Sequence, residues 1–355
     1  METEQGPIRG RGASGNPANR FELIHYERDE TVAEDESPSP ATHFYRDHAR
    51  SILTYNDSPD VGFEVSINPY RGCEHGCIYC YARPTHEYLG FSAGLDFETK
   101  ILVKEDAPTL LRKELASAKW QPKVVSLSGV TDPYQPIERR LQLTRRCLEV
   151  FVEFRNPVGI VTKNHLICRD IDLLSELAQH RAVAAFLSIT TLDGELARRM
   201  EPRATQPAGR LTALSELARA GVPVGVLVAP VIPGLNDHEI PAILEAAAKA
   251  GARCAGYVLL RLPHGLGPLF EQWLRQHYPE RCDKVLARLR DMRGGAMYDP
   301  RFGSRMKGTG VLAEQIASLF ALGCRRAGIG SHFPALSTAA FRRPGGTQRL
   351  LFEDE

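Results

Sequence analysis

The sequence predicts an α/β protein built on a partial (β/α)6 barrel, followed by a C-terminal helical extension. Six short apolar segments alternate with segments whose apolar residues recur at helical spacing, the pattern of parallel strands joined by right-handed helical crossovers. The strand segments are apolar along nearly their whole length, as a sheet covered on both faces requires. Six units are fewer than the eight of a complete barrel. A doubly wound sheet with a reversed strand order stays open as the alternative.

The first elements of this pattern begin at FEVSIN (63–68), where apolar and polar residues alternate as in a short strand. A helix is predicted over 107–118, because its apolar residues recur at helical spacing and Pro108 falls in its first turn. KVVSLSG (123–129) is an apolar run of strand length. The long amphipathic stretch 137–154 predicts a single helix.

The same alternation continues to residue 260. Each strand is a run rich in Val, Ile, Ala or Leu, and two of the helices end directly before a glycine, which favours helix termination. The predicted strands are 158–163, 182–190, 222–230 and 254–260, and the predicted helices are 170–180, 208–220 and 238–250.

The sequence outside this array predicts three regions. Residues 1–41 are rich in Gly, Arg, Glu, Ser and Pro and are predicted to be mostly disordered, because they offer little apolar surface to bury. Part of this segment could instead dock on the fold as an arm, since Phe21 and Leu23 are available for burial. Residues 42–261 are assigned to the barrel, and 262–355 to an extension that contains further helices.

Composition narrows the class of protein. Hydrophobic residues make up 43% and charged residues 25% of the 355 residues, as in an ordinary globular protein. The formal net charge of +1 gives no whole-chain argument for a nucleic-acid or membrane partner. No apolar run approaches the roughly 20 residues that span a bilayer, and the first residues lack the apolar core of a secretory signal. We therefore expect a cytoplasmic protein with no membrane partner.

The cysteines indicate a metal centre. Five of the eight are scattered singly, whereas Cys73, Cys77 and Cys80 form a CxxxCxxC pattern directly after the first barrel strand. A structural zinc ion needs four protein ligands, and His75 or His86 could supply the fourth. A [4Fe–4S] cluster held by only three thiolates instead keeps one iron open for a further ligand. The residues alone leave both possibilities open.

The loop CEHGCIYC, after the first strand of a six-fold β/α array, resembles the radical S-adenosylmethionine (radical SAM) superfamily. That resemblance implies a TIM-like partial (β/α)6 barrel, a [4Fe–4S] cluster on Cys73, Cys77 and Cys80, and S-adenosyl-L-methionine bound to the open iron. Tyr79 fills the aromatic place before the third cysteine and is expected near the adenine. Further segments resemble an uncharacterised bacterial branch related to spore photoproduct lyase, a DNA-repair enzyme: RGRGASGNPANRFE, INPYRGCEHGCIYCYARPTHEYLG, TDPYQPIE, TKN, EPRA and VAPVIPGLND.

The resemblance also implies cofactor contacts at the ends of the next strands. Thr131, Lys163 and Ser188 are expected to contact the amino-acid part or the ribose of SAM. An ammonium suits the cofactor carboxylate, and hydroxyl groups suit its ammonium and ribose. Arg203 could reach the cofactor or a phosphate, with a salt bridge at the helix end as the alternative.

One departure concerns the hydrogen donor. Spore photoproduct lyase carries a donor cysteine just after its second strand, whereas the corresponding stretch here, SLSGVTDPYQ, contains none. Tyr134 is predicted to donate or relay hydrogen in its place, and Asp132 is predicted to line the catalytic pocket beside it. The alternative is that the segment is only a turn that enters a helix.

Three functions follow from these observations. The leading one is a radical SAM enzyme of lyase type that acts on a DNA lesion and takes electrons from a flavodoxin or ferredoxin. The second is a radical SAM enzyme that acts on a small molecule or a protein side chain, and the third is a zinc-stabilised binding module. The DNA prediction rests partly on a basic excess over 281–326, including Arg288 and Arg293, which could equally be a solvated helix face.

Overall fold

Seven of the strands form one sheet in the computed structural model, which describes residues 6–21 and 40–344. The order across this sheet is β10-β9-β8-β7-β6-β3-β2, and a smaller sheet has the order β1-β5-β4. The strands are β1 (His43–Arg46), β2 (Leu53–Tyr55), β3 (Val65–Ile67), β4 (Tyr70–Arg71), β5 (Lys100–Val103), β6 (Val125–Leu127), β7 (Val158–Thr162), β8 (Val183–Ser188), β9 (Val224–Val231) and β10 (Cys254–Leu259).

Helices connect these strands and form the C-terminal extension. They are α1 (Leu95–Thr99), α2 (Ala107–Ala116), α3 (Glu138–Leu141), α4 (Leu143–Phe154), α5 (Ile171–Gln179), α6 (Gly194–Met200), α7 (Pro207–Arg219), α8 (Ile240–Lys249), α9 (Leu266–His277), α10 (Pro279–Asp291), α11 (Ser304–Lys307) and α12 (Val311–Ala327). Short 3₁₀ helices span Arg83–Leu89, His165–Asp170 and Asp237–Glu239.

The six strands β3 and β6 to β10 are parallel and lie side by side in chain order. This confirms the predicted α/β fold of six units, and the doubly wound alternative is wrong because no strand order is reversed. The antiparallel strand β2 pairs with β3 at the edge of the sheet. All six parallel strands therefore point their carboxyl ends to one side, where ligands bind in such folds.

The helix predicted over 137–154 is interrupted. Gln142 has φ 50°, in the left-handed region, and it ends α3 and begins α4. The first turn of α4 lies against Glu138, whose carboxylate accepts the backbone N–H of Thr144 at 3.1 Å. A buried carboxylate thus takes over the capping of α4, which the apolar periodicity of the sequence did not reveal.

Residues 6–21 dock beside the cysteine loop, so the prediction of disorder over 1–41 does not hold for them. The backbone N–H groups of Gly12 and Ala13 donate to the buried carboxylate of Glu98 at 3.0 and 2.9 Å. A Cβ at Gly12 would lie 1.8 Å from the carbonyl oxygen of Gly76, so only glycine allows this approach. Phe21 stacks on Tyr88. Residues 1–5 and 22–39, Leu23 included, lie outside the described ranges.

The C-terminal extension packs beside β10 and α8. Asp60, in the loop before β3, accepts the backbone N–H of Gly303 at 2.6 Å and pairs with Arg305. These contacts join the loop before the first barrel strand to the C-terminal extension. Among the described helices, none combines the length and apolarity that a membrane crossing requires.

Candidate cofactor site at the carboxyl ends of the strands

Cys73, Cys77 and Cys80 lie in the loop between β4 and the 3₁₀ helix Arg83–Leu89. The buried side chain of Arg83 shapes this loop, because it donates to the carbonyl oxygens of Cys77 at 2.9 Å and Gly76 at 3.2 Å. Its charge is balanced by Glu98 at 2.5 Å, the carboxylate that also holds the N-terminal arm. Buried groups therefore fix the loop backbone before any ligand binds.

The three thiols are free, and Cys73 and Cys77 are buried. Burial raises the pKa of Cys77 to about 12 against the opposing effect of the Lys163 ammonium. The three sulfur atoms do not all lie within 4.8 Å of one another. A tetrahedral zinc ion with bonds of about 2.3 Å would hold its sulfurs about 3.8 Å apart, so the three sulfurs are not spaced as around one zinc ion.

Neither histidine proposed as a fourth zinc ligand lies with two of the loop thiols in a group of donor atoms within 4.8 Å of one another. The ring of His75 lies between the carboxylate of Asp132 and the side-chain amide of Asn164, at 3.3 and 3.2 Å. Nε2 of His86 lies 2.8 Å from the carbonyl oxygen of Lys100, and burial lowers the pKa of His86 to about 4. The donor set that remains is three thiols, as an iron–sulfur cluster with one open iron requires.

Tyr79 is held by a buried ion pair that the sequence analysis missed. Its hydroxyl donates to Glu201, which also accepts from the hydroxyl of Thr190 at 2.6 Å and pairs with Arg210. Burial alone would raise the pKa of Glu201, but Arg210 and then Lys163 lower it to about 2. Glu201 belongs to the EPRA motif, yet no local pattern identifies a glutamate that will pair with an arginine nine residues later.

The SAM contacts predicted for Lys163 and Thr131 stay predictions, and the surroundings of the two side chains are as follows. The Lys163 ammonium is 5.8 Å from the centre of the Tyr79 ring, and its charge acts on Cys77. The hydroxyl oxygen of Thr131 is buried and has no hydrogen-bond partner in the described chain. An orphaned hydroxyl and an ammonium beside the cysteine loop fit a ligand with a carboxylate and an amino group.

Asp132, predicted to line the catalytic pocket, is held by several hydrogen bonds. Its carboxylate accepts the hydroxyl of Thr162 at 2.7 Å and the backbone N–H groups of Lys163 at 2.8 Å and Tyr134 at 2.9 Å, and it faces His75. Burial would raise its pKa, but His75 and these hydrogen bonds lower the pKa of Asp132 to about 2. These contacts favour a positioning role for Asp132 between β7 and the cysteine loop, and its catalytic role stays a prediction.

The hydrogen-donor role of Tyr134 stays a prediction, although its phenol is fully buried. The residue has no exposed surface, and its ring lies 6.0 Å from the guanidinium of Arg169. Burial, followed by the charges of Asp170 and Glu138, raises its pKa well above the usual range. A hydrogen donor must reach the substrate, whereas this phenol lies among buried ion pairs.

The two remaining predicted contacts have different outcomes. Arg203 forms the alternative salt bridge, with Glu74 at 3.1 Å, and donates to the hydroxyl of Thr42 at 3.2 Å. These contacts do not support its predicted role in cofactor binding. Ser188 lies buried at the carboxyl end of β8, where its carbonyl oxygen accepts from Arg210 at 2.9 Å. Its cofactor contact stays a prediction.

Tyr81 and Arg261 form a pair that the sequence analysis also missed. The hydroxyl of Tyr81 donates to the carbonyl oxygen of Gly129, after β6, at 2.5 Å. The guanidinium of Arg261, just past β10, lies 5.4 Å from the Tyr81 ring. Its Nη1 faces the sulfur of Met306, and its buried Nε has no acceptor among the described residues. Two features of the sequence could have identified this pair. Tyr81 directly follows Cys80, and Arg261 lies just after the last barrel strand.

The basic stretch near the C-terminus is not one free surface. Arg293 is buried and donates to the carbonyl oxygens of Leu260 at 2.8 Å and Ser304 at 2.9 Å. Arg288 faces Asp237 at 3.6 Å. The prediction that Arg293 contributes to a DNA-binding surface is therefore wrong, because its charge is used inside the extension.

Comparisons with known proteins agree with this geometry. The model of the radical SAM superfamily matches residues 67–247. An uncharacterised protein of Mycobacterium tuberculosis is 36% identical over 262 residues, which cover 73% of this chain and 74% of that protein. A radical SAM Nα-GlyT isomerase of Pseudomonas phage M6 is 25% identical over 214 residues, 60% of this chain and 42% of the isomerase.

Solved structures of spore photoproduct lyase share the fold. The lyase complexed with dinucleoside spore photoproduct superposes with a TM-score of 0.55 at 16% identity, over 83% of this chain and 82% of that chain. A variant with bound AdoMet and the same dinucleoside gives a TM-score of 0.51 at 17% identity, over 79% of each chain. On the sequence match and the shared barrel, the chain belongs to the radical SAM superfamily, whose members use a [4Fe–4S] cluster and SAM.

Proposed function

We propose that this protein is a radical SAM enzyme that acts on a nucleotide unit of DNA. Bound at Cys73, Cys77 and Cys80, the cluster and SAM would supply a 5′-deoxyadenosyl radical that takes a hydrogen atom from the substrate. The observation that carries this assignment is the set of three free thiols, two of them buried, with the Lys163 ammonium and the orphaned Thr131 hydroxyl at the same end of the barrel.

The side chains around the loop divide the work of holding SAM. Lys163 would pair with its carboxylate, because a charge-assisted hydrogen bond is the strong choice for an anion in a partly dry site. Thr131 would accept from its ammonium or bond its ribose. Tyr79, fixed through Glu201, presents a ring for the adenine, with its hydroxyl already satisfied.

Arg261 supports an anionic substrate. Its guanidinium lies against Tyr81, the residue after Cys80, and it forms no ion pair with a described carboxylate. An unpaired guanidinium at a strand end suits a phosphate, which it can bind with two parallel hydrogen bonds. The nucleotide assignment also draws on the dinucleoside in the lyase complex, which shares only the fold. The target base would have to leave the helical stack to reach the site.

This proposal leaves two reaction types as alternatives, a lyase reaction and an isomerisation. Spore photoproduct lyase shares the fold, and the phage relative is named an isomerase. Repair of a lesion and rearrangement of a modified base would both begin with abstraction of a hydrogen atom from the substrate. An electron donor of the flavodoxin or ferredoxin type would reduce the cluster in either case. We propose DNA-lesion repair of the lyase type first, without efficient reversal of the spore thymine dimer, because the donor cysteine is missing from SLSGVTDPYQ.

The core activity is tested without a substrate. Anaerobically reconstituted protein, given a strong reductant and SAM, should release 5′-deoxyadenosine and methionine slowly. The triple variant of the three loop cysteines should release none. Release of 5′-deoxyadenosine by that variant would refute the assignment of the cluster to this loop.

The substrate is tested with single- and double-stranded oligonucleotides at several salt concentrations. Arg261→Gln should weaken binding by about 10-fold and lower the slope of log affinity against log salt by about one. Arg253→Gln, at the opposite end of β10, is the matched control and should change neither quantity. If the protein binds no oligonucleotide at low salt, the DNA assignment fails, and a small molecule or protein side chain becomes the substrate of the same radical chemistry.

A further inference from the structure

A second group of metal-ligating side chains lies outside the cysteine loop. His165 and Cys168 are both on the 3₁₀ helix His165–Asp170, which follows β7. In a 3₁₀ helix, side chains three residues apart lie on the same face. Glu216, on α7, faces this pair, with its Oε2 at 3.4 Å from Nε2 of His165. The sequence analysis gave these residues no function.

The three donor atoms are close enough for one metal ion. The ring nitrogen, the sulfur and the carboxylate oxygen all lie within 4.8 Å of one another. Ligand bonds of about 2.0 to 2.3 Å in a tetrahedron put donor atoms about 3.3 to 3.8 Å apart, so a small side-chain movement closes the set. The three sulfur atoms of the cysteine loop, in contrast, do not all lie within 4.8 Å of one another. The two groups therefore differ in the spacing of their donor atoms.

We propose that His165, Cys168 and Glu216 form a mononuclear site for a divalent metal ion of the zinc type, distinct from the iron–sulfur site. One nitrogen, one sulfur and one carboxylate oxygen are the ligand types that zinc takes. The side chains of His165 and Glu216 are 41% and 36% exposed, so the fourth position faces solvent and would hold water. Binding releases the thiol proton of Cys168, and the resulting thiolate and carboxylate balance the charge of the ion.

The backbone around this site is already fixed. The N–H of His165 donates to the hydroxyl of Thr205 at 3.0 Å, and the thiol of Cys168 lies 4.0 Å from the carbonyl oxygen of Ala213 on α7. A metal ion would therefore join the segment after β7 to α7. The preceding residue, Asn164, donates to the carbonyl oxygen of Tyr134 at 2.7 Å, so the ion would also stiffen the neighbourhood of the proposed SAM contacts.

The test uses the full chain with its three loop cysteines replaced by serine, so that Co²⁺ cannot bind there. Titration with Co²⁺ should give one bound ion per chain, with the absorption of a four-coordinate cobalt thiolate, and Zn²⁺ should displace it. Cys168→Ser should abolish the thiolate-to-cobalt band. Glu216→Gln, at the helix surface, should keep the fold and weaken binding by at least about 10-fold.

Two matched variants control for general effects of the substitutions. Cys147→Ser removes a buried thiol that has no part in the group, and Glu176→Gln changes an exposed glutamate on α5. Neither should change cobalt binding. As a check on the loop-cysteine background, cluster-loaded wild-type protein should contain one zinc per chain after incubation with Zn²⁺ and desalting, and its Cys168→Ser variant should contain none. Absence of the cobalt band, or its persistence in Cys168→Ser, overturns the proposal.

Discussion

Replacing Glu201 with glutamine should destabilise the fold by about 3 kcal/mol near neutral pH. The side chain is fully buried, and its carboxylate faces the guanidinium of Arg210, which is also buried. The change leaves the Arg210 charge without a balancing anion in an apolar interior. It also alters the acceptor that fixes the hydroxyl of Tyr79.

The magnitude follows from two independent routes. Arg210 and Lys163 lower the pKa of Glu201 from 4.5 to about 2 against the effect of burial, which corresponds to about 3 kcal/mol of folding free energy. Removal of one partner from a buried ion pair costs about 3–5 kcal/mol in other proteins. Because the folded pKa is depressed, this stabilisation is complete above pH 4.5 and is lost as the pH falls toward 2.

The assay is urea unfolding of the cluster-free protein, followed by circular dichroism between pH 3 and pH 7. The difference in unfolding free energy between wild type and Glu201→Gln should be constant above about pH 5 and should shrink below it. Glu195→Gln, which breaks the exposed pair with Arg199, is the control and should cost about 0–1 kcal/mol. A difference below about 1 kcal/mol at pH 7, or one that does not vary with pH, would refute the reasoning.

Three further predictions concern the cofactors and the arm. Cys73→Ala should abolish the binding of about four irons, whereas Cys147→Ala should retain them, as measured by iron and sulfide assay after anaerobic reconstitution. Lys163→Ala should weaken SAM binding by about 1.5–3 kcal/mol, measured by equilibrium dialysis, and an unchanged affinity would remove Lys163 from the site. Gly12→Val should displace the N-terminal arm and speed cluster loss in air, and equal loss rates would show that the arm does not protect the loop.

The architecture could be predicted from the sequence because it depends on local patterns. Each parallel strand is a continuous apolar run, and each connecting helix shows apolar residues at helical spacing, so all six units were identified before the fold was known. The cysteine loop could be predicted for the same reason, since its three thiols are close in sequence. The helix predicted over 137–154 was wrong at Gln142, because a capping carboxylate rather than a helix-breaking residue divides it, and the short strands β1, β2, β4 and β5 were not predicted.

The fate of charged residues could not be predicted, since burial depends on partners that are distant in sequence. Arg293 reads as part of a basic surface, yet it donates to carbonyl oxygens inside the extension. Asp132 reads as a catalytic carboxylate, yet four donors surround it. Glu98 joins the arm to the loop over more than eighty residues. In each case the charged residue can be seen in the sequence, but the distant group that binds it in the fold cannot be predicted from the sequence.

The ionisation of the carboxylates near the cysteine loop also bears on the reaction that the site can perform. Glu98 and Glu201 are buried carboxylates near the cysteine loop, Asp132 is a partly buried one, and each accepts several hydrogen bonds. With the pKa of Asp132 and of Glu201 held at about 2, both stay ionised and are poor proton donors or bases near neutral pH. These carboxylates therefore fix the geometry around the cysteine loop and do not exchange protons near neutral pH. Such a site suits hydrogen-atom transfer, which depends on a fixed geometry of the reacting atoms and does not require a titrating carboxylate.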